Sequence, residues 1–194
     1  MKKLSFFMMI PLAILMLQSC NRAKDSKAKA DSSNVAKDTS KSSAMTGSMA
    51  VDENDSRFAT TAAAAGMAEV DLGKIAEQKA VNHRVKSFAN MMVTDHTKAN
   101  DALASLAKTK NITLPSAPDA DAQKKADELS KKSGKGFDKD YVDAMIDGHK
   151  KAVKLFTDAS QNCKDPDLKA FATNTLPTIK MHLDSIQAIH DSMK

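Results

Sequence analysis

Four stretches of the chain repeat apolar residues at alternating spacings of four and three, and one ionisable side chain interrupts each seam near its middle. The first runs Phe58, Ala62, Ala65, Glu69, Leu72, Ala76, and the second Val85, Ala89, Met92, His96, Ala99, Leu103, Leu106. The third runs Val142, Met145, His149, Ala152, Phe156, Ala159, Cys163, and the fourth Leu168, Ala172, Thr175, Ile179, His182, Ile186, Ile189, Met193. Such spacing returns side chains to one face of an α-helix, and that face must be buried against other helices. With 194 residues, 42% of them hydrophobic, the chain can build one domain with a proper core. Aromatics are 4% and Trp is absent, so that core is drawn from Ala, Leu, Ile, Val and Met. This is the composition of an all-α protein.

Capping and breaking residues place the helices. Asp55 or Ser56 reads as the N-cap of a helix reaching Lys79, and Val81-Asn82 forms a turn so short that the next helix must be its antiparallel neighbour. That helix runs from His83 to Lys110 and stops before Pro115 and Pro118. A shorter helix over 119–132 precedes the breaker Ser133-Gly134-Lys135-Gly136. The third long helix starts at Phe137 or Asp138 and reaches Asn162; Asp165-Pro166 then opens the fourth, in which Pro177 is expected to produce a kink. Gly66, within the first helix, points to close approach of a neighbour. Two hairpins joined by a long crossover with a short extra helix give a ferritin-like four-helix bundle over 55–194; an up-down bundle of five helices is the alternative.

At a rise of 1.5 Å per residue, Glu69 and His96 lie within about 5 Å of the same height, and His149 and His182 fall mid-hairpin in the other pair. One carboxylate and three imidazoles form a donor set suited to a single Fe, Zn or Cu ion. A metal-free polar layer, with each histidine hydrogen-bonded in the core, fits the same pattern. The register of the second helix is open as well. Phe88, Met92, Asp95, Ala99, Ala102 and Leu106 would turn Asp95 inward in place of His96, because adjacent residues on a helix point about 100° apart. Asp95 is therefore an alternative ligand or a support behind one.

The N-terminus reads as an address. Lys2 and Lys3 precede an apolar run from Leu4 to Leu17, too short for a membrane span, which ends in Leu17-Gln18-Ser19-Cys20. This resembles the lipobox of bacterial lipoproteins, which implies a signal over 1–19 and acylation of Cys20, hence an envelope protein held to the outer membrane and facing the periplasm. The segment 20–54 is rich in Lys, Ser, Ala and Asp without apolar periodicity, and reads as a disordered tether. With Cys20 acylated, Cys163 has no partner for an intrachain disulfide.

Removing Lys2 and Lys3 lowers the net charge from +5 to +3. No basic patch interleaved with aromatics is present, so nucleic acid is not an expected partner. No glycine-rich nucleophile turn accompanies Cys163, and His83 and His190 lie near helix ends. Of 12 Met, Met1, Met8, Met9 and Met16 belong to the leader, which leaves little for a thioether copper site. The chain reads as a binding or envelope-stress module rather than an enzyme, with protein partners unspecified.

Several motifs carry a family resemblance: Ala68-Glu69-Val70, Leu72-Gly73-Lys74-Ile75-Ala76, Val85-Lys86-Ser87-Phe88-Ala89 and, most specific, Met92-Val93-Thr94-Asp95-His96-Thr97-Lys98-Ala99-Asn100. Ile112-Thr113-Leu114-Pro115, Phe137-Asp138-Lys139-Asp140-Tyr141, His149, Leu176-Pro177 and His182 extend it. Over about residues 55–190 the chain resembles the bacterial domain-of-unknown-function family 4142, ferritin-like proteins often labelled outer-membrane or exported. The resemblance implies a ferritin-like fold and includes Glu69, Asp95-His96, His149 and His182 among recurring positions, but it implies no activity. Di-iron ferritins pair Glu with His three residues on; here the residues three before His96 and His182 are Val93 and Ile179, which points to a mononuclear site, or to a site lost to a polar core, instead.

Overall fold

The computed structural model describes residues 22–39 and 51–194. The leader with Cys20 lies outside the described residues, as does the stretch 40–50. The described residues form six α-helices: α1 Arg22–Thr39, α2 Glu53–Lys79, α3 His83–Thr109, α4 Ala120–Ser130, α5 Gly134–Asn162 and α6 Pro166–Ser192. Among the described residues there is no strand, and no helix is long and apolar enough to cross a membrane.

Helix starts follow the capping chemistry. Asp52 accepts from Asn54 N, Asn82 from Arg84 N and Val85 N, Asp119 from Ala122 N, and Asp165 from Asp167 N and Leu168 N. Each bond satisfies an amide that the first turn leaves without an intrahelical acceptor. The cap of α2 is thus Asp52, not Asp55 or Ser56. At the end of α3, Asn111 takes a left-handed φ of 55° and Ile112 N donates to Ala107 O, five residues back, as in a Schellman stop. α5 begins at Gly134, three or four residues before the expected Phe137 or Asp138, and the chain enters it with a φ of +61° at Gly134, which glycine adopts without strain. Helix α6 continues through Pro177, whose ring removes one backbone bond without ending the helix.

The hairpins α2–α3 and α5–α6 pack side by side, α2 on α5 and α3 on α6. One end of the bundle is filled by Phe58, Leu103, Phe156 and Leu168, the other by Leu72, Phe88, Tyr141 and Ile186. The segment from Lys110 to Ser133 therefore runs back along the bundle, so that α5 starts at the end where α3 starts. Every adjacent pair of long helices is antiparallel.

Two buried aspartates lock the hairpins together in matching fashion. Asp55, in the first turn of α2, accepts from Lys164 N and Asp165 N at the α5–α6 turn, the shortest contact being 2.6 Å. Asp138, near the start of α5, accepts from Val81 N at 3.1 Å and Asn82 N at 2.8 Å in the α2–α3 turn.

The stretch expected to be a tether differs from that reading, since 22–39 is helical. α1 packs on α2 through small and polar contacts: Ala30 is buried, Thr60 Oγ1 donates to Asp31 at 2.6 Å, and Asn34 exchanges two hydrogen bonds with the backbone of Thr113. Such contacts leave no apolar stripe in the sequence. They do explain the Ala-rich start of α2, which buries Ala59, Thr60, Ala63 and Ala64 as well as its bundle face. Ala65, placed on the seam by spacing, is exposed instead.

Candidate metal centre

The helices carry three histidines into one layer at mid-bundle. His149 and His182 are fully buried and His96 is 8% exposed. Their ring centroids lie 5.7 Å apart for His96–His149, 5.3 Å for His96–His182 and 5.5 Å for His149–His182. One nitrogen of each ring lies within 4.8 Å of one nitrogen of each of the others. Phe88 closes one side, its ring 6.3 Å from both His149 and His182 and steeply inclined to each.

The register of α3 is settled by burial. His96 faces the bundle, and Asp95 sits on the flank toward α6 with a side chain 35% exposed. From there Asp95 Oδ2 lies 3.0 Å from His182 Nε2. Glu69, buried on α2, places Oε2 3.0 Å from His96 Nδ1 and Oε1 3.6 Å from His149 Nδ1. His149 Nδ1 donates to the carbonyl of Met145 at 2.9 Å, one turn back on its own helix.

These contacts decide what each ring can still do. Nδ1 of His149 faces a carbonyl and must carry its proton, so its Nε2 holds a lone pair in the neutral ring. His182 donates through Nε2 to Asp95 and His96 through Nδ1 to Glu69, which leaves His182 Nδ1 and His96 Nε2. Those three nitrogens, His96 Nε2, His149 Nε2 and His182 Nδ1, are buried without a hydrogen-bond partner. Among the described residues only Tyr141 Oη shares that condition. The sequence reading grouped Glu69 with the three rings; in the fold its carboxylate stands behind His96 and His149, on the side of their bonded nitrogens.

Electrostatics separates the rings. Burial pushes the His149 imidazole below its ordinary range, only partly offset by the Glu69 carboxylate. Burial does the same to His182, against the opposing bond to Asp95. His96 is also disfavoured as a cation by burial, but the charge and hydrogen bond of Glu69 outweigh this and hold it above the usual value. For Glu69, burial alone would raise the carboxyl, yet the His96 charge and hydrogen bond bring it below the ordinary range. The layer therefore holds two neutral rings and one strongly paired ring beside a carboxylate.

Small residues shape the approach between α2 and α3. A Cβ on Gly66 would fall 2.1 Å from Asn100 Oδ1, and one on Gly73 would fall 2.8 Å from Val93 Cγ2 and 3.3 Å from Ala89 O. Beside Glu69 and His96 a cavity of about 30 Å³ opens, walled by Ala62, Gly66, Ala99 and Asn100. It has room for about one water molecule.

Sequence periodicity found all three rings, because an imidazole breaks an apolar seam visibly. It missed the structural duty of Asp138, since an acidic residue in a first helical turn is ordinary on dipole grounds alone. His83 is exposed and His190 half-buried at the ends of their helices, apart from the layer.

A comparison with curated proteins finds no match. Among solved structures, a crystal structure described as a DUF305 fragment from Deinococcus radiodurans is similar, with a TM-score of 0.65 at 12% identity over 73% of this chain and 98% of that one. At that identity the likeness speaks for a shared fold. The sequence matches the family described as a domain of unknown function, DUF4142, over residues 40–189, and the chain belongs to that family.

Proposed function

We propose that this protein binds one transition-metal ion at mid-bundle through His96, His149 and His182, with Glu69 and Asp95 holding the rings from behind. The observation that carries this reading is the set of three buried, unpartnered ring nitrogens on rings packed 5.3–5.7 Å apart. Leaving a buried polar atom unpaired costs about 1–3 kcal/mol, and three in one layer is a large cost for a purely structural device. A metal-free polar layer would account for the Glu69–His96 pair but not for the three leftover nitrogens. Carboxylates and a carbonyl on the far nitrogen of metal-binding histidines fix the tautomer and raise ring basicity.

Fe, Zn and Cu all accept imidazole nitrogen, and metal–nitrogen bonds of about 2.0–2.1 Å lie within small ring movements of this arrangement. Among the described residues Cys163 is the one thiol, and it lies in the core cluster at the bundle end, so a thiolate site is disfavoured. The test is elemental analysis of protein purified without chelator or affinity tag, beside His96→Ala. About one equivalent of metal in the parent and little in the variant supports the assignment. No metal in either after reconstitution, with only a lower melting temperature in the variant, supports the metal-free partner-binding module instead.

We further infer an envelope lipoprotein acylated on Cys20. Lys2-Lys3, the apolar run and Leu17-Gln18-Ser19-Cys20 support this. Metabolic labelling with an alkyne fatty acid tests it: label in the parent and none in Cys20→Ser is the expected pair, and equal label in both overturns it.

A further inference from the structure

Three imidazoles do not complete the surroundings of the ion they would hold. A metal with three protein ligands keeps a further position for water or a small molecule, whereas a purely structural site closes with protein donors. Among the described residues no other His, Cys, Asp or Glu joins the three rings as a group with ligand atoms within 4.8 Å. Glu69 and Asp95 are already engaged by His96 Nδ1 and His182 Nε2, the nitrogens turned away from the leftover ones.

The two faces of the ring layer differ. Toward Leu72 and Ile186, the Phe88 ring covers it, 6.3 Å from both His149 and His182. Toward Leu103 and Phe156 lies the cavity of about 30 Å³, which Glu69 and His96 border from the layer itself. Ala152, one turn past His149, and Ile179, one turn before His182, form its next wall, so the cavity sits against the layer. The wall grades outward. Ala62, Ala152 and Ile179 are buried, Ala99, Asn100 and Thr175 are half-buried, and Ala65 is exposed. Small side chains therefore separate the rings from solvent on this face.

Size and charge select the occupant. Organic ligands fill sites of about 300–1,000 Å³, so a cavity of about 30 Å³ excludes them and suits one water or a molecule of two atoms. Among the described residues no Lys or Arg lines it; Ala, Leu, Phe and Ile dominate the wall, and the Glu69 carboxylate borders it. An anion would shed its hydration there, meet no cation but the metal and face a like charge. A neutral ligand meets none of these costs. We propose, resting on the metal reading above, that the ion held by His96, His149 and His182 keeps one position open toward this cavity. It takes there a neutral two-atom ligand of the dioxygen and nitric oxide class. Binding is coordination alone, through the ligand's own lone pair, with no ligand bond broken.

The experiment is nitric oxide titration of the full chain loaded with Fe(II) under argon, with iron per chain measured first. Ferrous protein is silent in conventional electron paramagnetic resonance and its nitrosyl adduct is not. The expected result is a signal that saturates with the bound iron and that azide does not diminish. Ala62→Leu and Ala99→Leu fill the cavity from α2 and from α3. Both should retain iron and weaken nitric oxide binding about tenfold, read per bound ion. Iron uptake without a nitrosyl signal overturns this proposal and leaves the metal reading standing. Failure to take up iron also overturns it, and failure with Zn and Cu as well overturns the metal reading too. Equal nitric oxide affinity in the parent and both filled variants overturns the cavity as the ligand's place, and azide binding as tight as that of nitric oxide overturns the preference for a neutral ligand.

Discussion

Asp95 Oδ2 lies 3.0 Å from His182 Nε2, so a partly exposed carboxylate on α3 fixes the orientation of a fully buried ring on α6. Its chain neighbour His96 turns into the bundle and takes the Glu69 carboxylate at 3.0 Å. Two consecutive residues on one helix thus serve two different rings.

Asp95→Ala should lower metal affinity about 10–100-fold while leaving the bundle intact, the usual consequence of removing a carboxylate behind a metal-binding histidine. Competition with a chromogenic chelator measures the affinity, and circular dichroism checks the fold. Unchanged affinity would mean that His182 is held by packing alone.

The metal-free protein should lose stability as pH falls from about 7 to 5. His149 and His182 are held below the ordinary histidine value of 6.5 by burial, so in the unfolded chain they take up protons first. Stability tied to them is present above about 6.5 and is lost on acidification, at up to about 1.4 kcal/mol per pH unit for each ring. His96 has the opposite sign: its value is raised, so its contribution is present below 6.5 and is lost as pH rises. Two rings outweigh one, and thermal melting of chelator-treated protein across this range should show a falling midpoint. His149→Phe should flatten the slope.

Asp138→Ala should cost about 1–3 kcal/mol, because it removes a buried carboxylate and leaves the amides of Val81 and Asn82 in the half-exposed α2–α3 turn without their acceptor. Asp55→Ala should cost a similar amount at the other end of the bundle, where Lys164 N and Asp165 N lose theirs. The two sites are far apart and share no partner, so the double variant should show the sum. Chemical denaturation of the three variants tests both size and additivity.

Cys163 should resist alkylation in the folded protein. Burial in the first place, and then the Asp55 carboxylate, pushes its thiol up to about 12, so almost no thiolate exists at neutral pH. Iodoacetamide at pH 8 should leave it unmodified, whereas reaction in denaturant should be complete by mass spectrometry.

Much of this site is legible in the sequence because an imidazole on an apolar seam violates the pattern at one point. His96, His149 and His182 were found in that way, and rise per residue placed them at one height. The role of Glu69 was not legible. Periodicity says that a carboxylate faces inward, but not whether it points at the centre of the layer or at the back of a ring. α1 escaped for a related reason, since Ala30, Asp31 and Asn34 engage α2 and Thr113 through small and polar contacts that leave no stripe.

By itself the sequence determined α2 to α6 and the all-α bundle, since helical periodicity, Asn82 and Asp165 as caps, and the prolines of the crossover act over a few neighbouring residues. Tertiary structure alone decided which nitrogen of each ring is left over. That choice depends on Glu69, Met145 O and Asp95 meeting the rings at hydrogen-bond distance, and for His96 and His182 the partner comes from another helix. It alone also decided that Asp55 and Asp138 each close the turn of the opposite hairpin. Hydrogen bonds form within about 3 Å, and residues as far apart as Asp55 and Lys164 reach that distance only once the helices have packed.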